Sequence, residues 1–312
     1  MTQVCWSRWW LYPKERGEWN VSNNLFAQVN AIGGLLAGNG VTGVKHIGTG
    51  QYEVTFSTDV SGYAYVATTV NAGSQTDQVF TAGGHLSSDG VYVETKNQGG
   101  GLTDSPFNLV VDSGAPDWLF AVVGYDANLV RSSPGTTLTN LGNGRYDVTF
   151  TSDVTNCAYL ATVGDPGHEL VFGPAGVYTG SASNPNAVYI ETKNQGGGLT
   201  AGIPFHLAVI SPTAANTRTA VVAATGLIVR GSNLTSSYSA AVGQYVVVTD
   251  TLTSACATVA TRGSIDQSVP FDPATVEIVP GPAANTAGIQ ERGLLAFGGK
   301  PADEAFHVAM VF

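Results

Sequence analysis

The stretch Gly50-Gln51-Tyr52-Glu53-Val54-Thr55-Phe56-Ser57-Thr58-Asp59-Val60 decides the fold. Tyr52, Val54 and Phe56 alternate with Glu53, Thr55 and Ser57, the period of two expected of a strand with one buried face. The stretch returns 94 residues later as Gly144-Arg145-Tyr146-Asp147-Val148-Thr149-Phe150-Thr151-Ser152-Asp153-Val154. A fainter copy, Gly243-Gln244-Tyr245-Val246-Val247-Val248-Thr249, lies a further 99 residues on. Each copy runs on into an apolar segment: Tyr63-Ala64-Tyr65-Val66-Ala67-Thr68, Cys157-Ala158-Tyr159-Leu160-Ala161-Thr162 and Cys256-Ala257-Thr258-Val259-Ala260-Thr261. Residues 50–70 read as a hairpin turning at Asp59-Val60-Ser61-Gly62.

Working outward, Leu25-Phe26-Ala27-Gln28-Val29 matches Leu119-Phe120-Ala121-Val122-Val123, with Thr219-Ala220-Val221-Val222 as third member. Residues 94–103 and 191–200 are identical, and each copy closes on a strand, Pro106 to Val110, Pro204 to Ala208 or Ala305 to Ala309. A fixed period of this kind marks tandem units, here 24–113, 117–211 and 217–312, preceded by an N-terminal aromatic anchor segment, 1–23. Only 12% of residues are charged, against a usual share of about 25%, and 39 are glycine. Val, Thr, Tyr and Phe are abundant, so we expect an all-β chain of three tandem β-sandwich (jelly-roll-like) repeats with six to eight short strands each. The short joins favour fixed packing between units. Both an end-to-end rod and a closed pseudo-threefold cluster satisfy the pattern. The third unit has drifted most, with Thr249 in place of Phe56 and Phe150 and Leu252 in place of Asp59 and Asp153, which suits a different environment such as a partner.

A net charge of −10 with only 13 Lys and Arg argues against nucleic acid as a partner. Cys5, Cys157 and Cys256 form neither a disulfide framework nor a zinc half-site, so no metal or cofactor is expected. No run of about 20 apolar residues offers membrane insertion, and Met1 to Asn20 lacks the pattern of a secretory signal.

The run from Gly40 to Phe56, followed by Tyr63-Ala64-Tyr65, resembles β-rich tail-fibre and receptor-binding modules of bacteriophages and phage-like particles. It is also similar to C-terminal domains of bacterial surface and collagen-tailed proteins, which share a G-x-Y-x-V-x-F strand and an apolar A-Y strand. The likeness covers much of the first two units and is weaker in the third, and nothing like a collagen stalk is present. It implies a structural or receptor-binding role, often in trimers.

Candidate sites are few. Glu94, Lys96, Asn97 and Gln98, repeated as Glu191, Lys193, Asn194 and Gln195, could hydrogen-bond sugar hydroxyls, although a strand entering a glycine turn explains them better. His206 and His307 share a position held by Asn108 and read as polar strand residues; Cys157 and Cys256, at the position of Tyr63, read as apolar filler. Asp59 and Asp153 could be a glycosidase acid pair but read better as turn caps. No catalytic motif is present. Trp6, Trp9, Trp10 and Trp19, with Arg8, Lys14 and Arg16, suit a partner-binding anchor, because Trp and Arg dominate interface hot spots, and suit equally an extra strand packed on the first unit. The expectation is therefore a non-enzymatic structural or attachment protein of a virion, phage-like particle or extracellular cell-surface assembly, with other protein subunits as partners. A carbohydrate-binding module acting on cell-surface glycan is the alternative, and a glycan-degrading enzyme the third.

Overall fold

A computed structural model of the chain describes residues 24–70, 77–83, 86–112, 114–115, 117–167, 174–232, 234–266, 274–293 and 300–312. The anchor segment 1–23, with its four tryptophans, lies outside the described residues. The protein is all-β. Residues 24–113 contribute β1 (Leu25–Val29), β2 (Leu35–Asn39), β3 (Val41–Gly48), β4 (Gln51–Phe56), β5 (Tyr65–Thr69), β6 (Gln78–Gly83), β7 (Gly90–Lys96) and β8 (Phe107–Val111). Residues 117–211 contribute β9 (Trp118–Val123), β10 (Leu129–Ser132), β11 (Thr137–Gly142), β12 (Arg145–Thr149), β13 (Ala158–Asp165), β14 (Ala175–Ser181), β15 (Ala187–Asn194) and β16 (Phe205–Ile210). Residues 217–312 contribute β17 (Thr217–Val222), β18 (Ile228–Ser232), β19 (Leu234–Ala241), β20 (Gln244–Thr249), β21 (Ala257–Arg262), β22 (Ala274–Pro280), β23 (Thr286–Gly293) and β24 (Phe306–Val311).

Pairing follows one plan in each third of the chain. The first unit forms one sheet in the order β2-β1-β8-β5 and another in the order β3-β4-β7-β6; β10-β9-β16-β13 with β11-β12-β15-β14, and β18-β17-β24-β21 with β19-β20-β23-β22, repeat it. First and last strands of a unit lie side by side, Leu25 opposite Val111 and Val29 opposite Phe107, so each unit closes on itself. Between its sheets the first unit buries Tyr52, Val54, Phe56, Tyr65, Ala67, Val91, Val93, Phe107 and Leu109, the alternation seen in the sequence. The glycine of the G-x-Y strand is obligatory. Gly50 has φ +65°, and a Cβ there would lie 2.4 Å from the Thr95 carbonyl oxygen.

The hairpin expected at 50–70 is an arch between sheets. Both edges of β4 are taken, by β3 and β7, so β5 crosses to the other sheet and pairs with β8. Asp59 turns the chain by accepting from Ser61 N at 2.9 Å and Ser61 Oγ at 2.6 Å, and the buried Val60 plugs the space between sheets. Asp153 repeats this turn on Thr155, so both aspartates are caps, as read from the sequence.

Strands β5, β13 and β21 are buried on both faces. Tyr65 and Ala67 face their own sandwich, whereas Val66 turns outward to meet Leu160, Val259, Val110, Ala208 and Ala309 in a core shared by all three units. The arrangement is a closed ring, so the choice between rod and cluster falls to the cluster.

Candidate functional site

Each unit's inner strand is the edge of a sheet, and an edge presents unpaired N–H and C=O groups that must be covered. The neighbouring unit covers them with side chains. Thr162 Oγ1 accepts from Ala67 N at 2.9 Å and donates to Ala67 O at 3.1 Å. Thr261 does the same for Ala161, at 2.8 and 3.1 Å, and Thr68 for Ala260, at 2.9 and 3.0 Å. Three threonines thus close the ring, each bonding the next unit's backbone twice. Beside them lies an axial cavity of about 90 Å³, lined by these threonines together with Val163, Tyr178 and Arg262. That exceeds the roughly 10–15 Å³ one water needs.

Parallel backbone pairing reinforces the boundaries. Gly164 and Asp165 pair with Thr81 and Ala82, joining sheets of the first and second units into one of eight strands, while single bridges Thr179–Gly263 and Val70–Ile278 mark the other two boundaries. A Cβ on Gly164 would stand 2.5 Å from Thr81 Oγ1, 2.6 Å from Thr81 O and 2.8 Å from the His206 ring. Gly164→Ala is therefore expected to destabilise the protein by roughly 1–3 kcal/mol, the usual cost of overpacking, read as a lower urea midpoint at unchanged m-value. The same counterpart position at the third boundary, Val70, already carries a side chain, and Val70→Ala is expected to shift that midpoint less.

Two boundaries share one aromatic cluster. Between first and second units the Tyr65 ring stacks on His206, centroids 4.9 Å apart, and Arg131 lies over the same ring at 5.5 Å. Between second and third units Tyr159, His307 and Arg230 repeat this at 4.9 and 5.2 Å. His206 Nδ1 accepts from Tyr65 N at 3.1 Å, so its proton sits on Nε2, which donates to Asp165 O at 3.1 Å. His307 bonds Tyr159 N and Ser264 O alike, at 2.9 and 3.2 Å. Burial, and then the nearby arginine, pushes both imidazoles down to about 3. Both stay neutral at physiological pH and act as connectors; the polar strand position read from the sequence is an inter-unit hydrogen bond. Cys157 and Cys256 are buried free thiols, each in the core of its own unit.

The boundary that closes the ring, between third and first units, differs. Register places Thr258 where the others have Tyr, Asn108 where they have His, and Ala37 where they have Arg. The changes compensate one another. Thr81 and Thr179 donate to the carbonyls of Tyr65 and Tyr159, but their counterpart is Ile278, and Asn108 Nδ2 supplies the missing donor to Thr258 O at 2.8 Å. Arg131 and Arg230 donate through Nε to Tyr63 O and Cys157 O; Gln28 Nε2 takes that role on Cys256 O. Smaller side chains leave a pocket of about 260 Å³, whose lining includes Gln28, Val29, Asn108, Thr258, Ile278 and Ala287. Deeper in the boundary, Glu277 accepts from Asp77 N at 2.7 Å and burial pushes its carboxyl up to about 8.

The residues singled out in the glycine loops serve the fold. Lys96 Nζ pairs with Glu94 at 2.9 Å over the Phe80 ring, and Lys193 with Glu191 at 3.1 Å over Tyr178, all four charged groups buried. Asn97 Oδ1 accepts from Gly99 and Gly101 N, and Asn194 Oδ1 from Gly198 N, which fixes each turn. Gln195 Nε2 donates to Gln98 O and brings the two loops together. The ring threonines, Arg131, Arg230 and the pocket were not found by sequence reasoning. The available signal was the drift of one repeat position through Tyr65, Tyr159 and Thr258 in step with His206, His307 and Asn108.

Among the described residues no three His, Cys, Asp or Glu side chains are grouped to hold a metal ion, and no helix is long and apolar enough to cross a membrane. Comparison with protein-family models, curated proteins and solved structures finds no match. Fold and boundaries define a single chain that builds its own pseudo-threefold body of β-sandwiches.

Proposed function

We propose that this chain is a non-enzymatic structural or attachment protein of a phage-like particle or bacterial surface assembly, working through subunit packing and surface binding. The observation that carries the reading is ring closure: one chain completes a rigid pseudo-threefold body whose inner strand edges are covered by its own threonines. The ionisable residues singled out in the sequence support it too. His206 and His307 are buried connectors, Asp59 and Asp153 cap turns, and Glu94 and Glu191 hold lysines. The outer surfaces remain for recognition, and the segment carrying Trp6, Trp9, Trp10 and Trp19 is the proposed docking peptide. Resemblance to trimeric tail-fibre modules agrees with a threefold body, here supplied by one chain.

Light scattering on the full chain and on residues 24–312 tests this. A multimeric full chain and a monomeric, folded truncation are expected. Monomers in both preparations would remove the anchor role and favour the second reading, a carbohydrate-binding module. That alternative has its own observation: the two Asn-Gln-Gly-Gly-Gly loops meet at Gln98 and Gln195, with Asn97 and Asn194 exposed beside them.

A further inference from the structure

We infer that the pocket at the ring-closing boundary is a binding site for a neutral aromatic ring bearing a hydroxyl group, a phenol. The sister boundaries show what such a space accommodates. In each, a tyrosine phenol lies against an imidazole, and its hydroxyl donates to a carbonyl at the back of the boundary: Tyr65 to Val60 O at 2.8 Å, Tyr159 to Val154 O at 2.9 Å. At the closing boundary Thr258 and Asn108 replace both rings, and the vacated volume is the pocket of about 260 Å³. An apolar cavity of roughly 150 Å³ already suffices for benzene.

The acceptor is retained as well. Thr253 is the counterpart of Val60 and Val154 and lines the pocket. Its carbonyl accepts only long bonds, from Cys256 N and from the weak donor Cys256 Sγ, both at 3.4 Å, where the sister turns have 3.1 and 2.9 Å from the backbone, so a guest hydroxyl has only a thiol contact to displace. Among the described residues no charged side chain contributes to the lining, so the guest is neutral. Val29, Ile278 and Ala287 supply apolar walls. Asn108 is almost wholly buried and donates through Nδ2 to Thr258 O, and its Oδ1 accepts no hydrogen bond among the described residues; it offers the guest a second polar contact. A free small phenol and a tyrosine side chain of a bound peptide present the same ring.

The test is titration of the full chain with p-cresol and with N-acetyltyrosine amide, followed by NMR. Expected are saturable shifts and intermolecular NOEs from the p-cresol ring to the methyl groups of Val29, Ile278 and Ala287. Binding of p-cresol alone points to a free small phenol; binding of both points to a tyrosine side chain. Thr258→Tyr, which fills the pocket with the chain's own phenol, is expected to weaken p-cresol binding at least ~10-fold and to raise the melting temperature. The proposal is overturned by absence of NOEs to those methyls in the unaltered chain, by toluene binding as tightly as p-cresol, or by a folded Thr258→Tyr that keeps full affinity.

Discussion

Thr162→Val is expected to destabilise the protein by roughly 2–5 kcal/mol. The replacement keeps shape and volume but removes the hydroxyl that both accepts from Ala67 N and donates to Ala67 O. The two backbone groups lie on the inner edge of β5, in a buried boundary where neither finds another partner in the sheet. Leaving a buried donor or acceptor unpaired costs about 1–3 kcal/mol each, far more than the net gain of a hydrogen bond between solvated groups. Thr162→Ser retains the hydroxyl and loses one methyl, so it is expected to cost only about 1 kcal/mol. Urea denaturation of the two variants checks this, and the difference between them is the informative quantity. Equal losses would mean that packing, not the ring of hydroxyls, holds the boundary. Thr68 and Thr261 occupy the same geometry, and joining their replacements to Thr162→Val in mutant cycles is expected to show coupling between boundaries, because a closed ring shares its strain.

The second large effect is on acid stability. His206 and His307 are neutral in the fold, held down to about 3 from an ordinary value near 6.5 by burial and by Arg131 or Arg230. Each Nδ1 faces a backbone N–H, so a proton there would set donor against donor. The unfolded chain binds these two protons below about pH 6.5 and the folded chain does not, so their contribution is complete above that pH and is lost as pH falls towards 3. At pH 5 the loss is roughly 2 kcal/mol per histidine. Asp112, pushed up to about 7 by burial, and Glu277, pushed up to about 8, run the other way: both favour the folded state at low pH and oppose it as pH rises. Buried Glu291, whose carboxyl is also raised by burial, runs with them, so total stability between about pH 6 and 5 does not show the histidine slope by itself. The histidine term is isolated by the variant His206→Asn, His307→Asn, which places at both boundaries the residue already present at Asn108. The variant is less stable at pH 7, and its deficit is expected to shrink by about 4 kcal/mol on going to pH 5. A deficit that stays constant with pH would show that the imidazoles are not held neutral.

Much of the fold was legible in local pattern. The alternation of Tyr52, Val54 and Phe56, the glycine before each such strand and the return of the pattern in each third of the chain are consequences of pleat geometry and of one backbone conformation, both of which act within a few residues. The continuous apolar runs beginning at Tyr63, Cys157 and Cys256 were visible too, and an unbroken run signals burial on both faces. Turn caps at Asp59 and Asp153 are equally local. The arch between β4 and β5 was not legible, because it depends on which strands, distant in the chain, occupy the edges of β4.

The sequence by itself determined strand character, unit length and turn chemistry, since these rest on periodicity and on backbone preferences of individual residues. Only the tertiary structure decided that the units form a ring, that Thr68, Thr162 and Thr261 close it, and that Thr258, Asn108 and Ala37 open a pocket at one boundary. The physical reason is distance. Each of these features is a contact between groups about 100 or more residues apart, where hydrogen-bond partners and packing volume are set by how whole sandwiches meet, and no local preference carries that information.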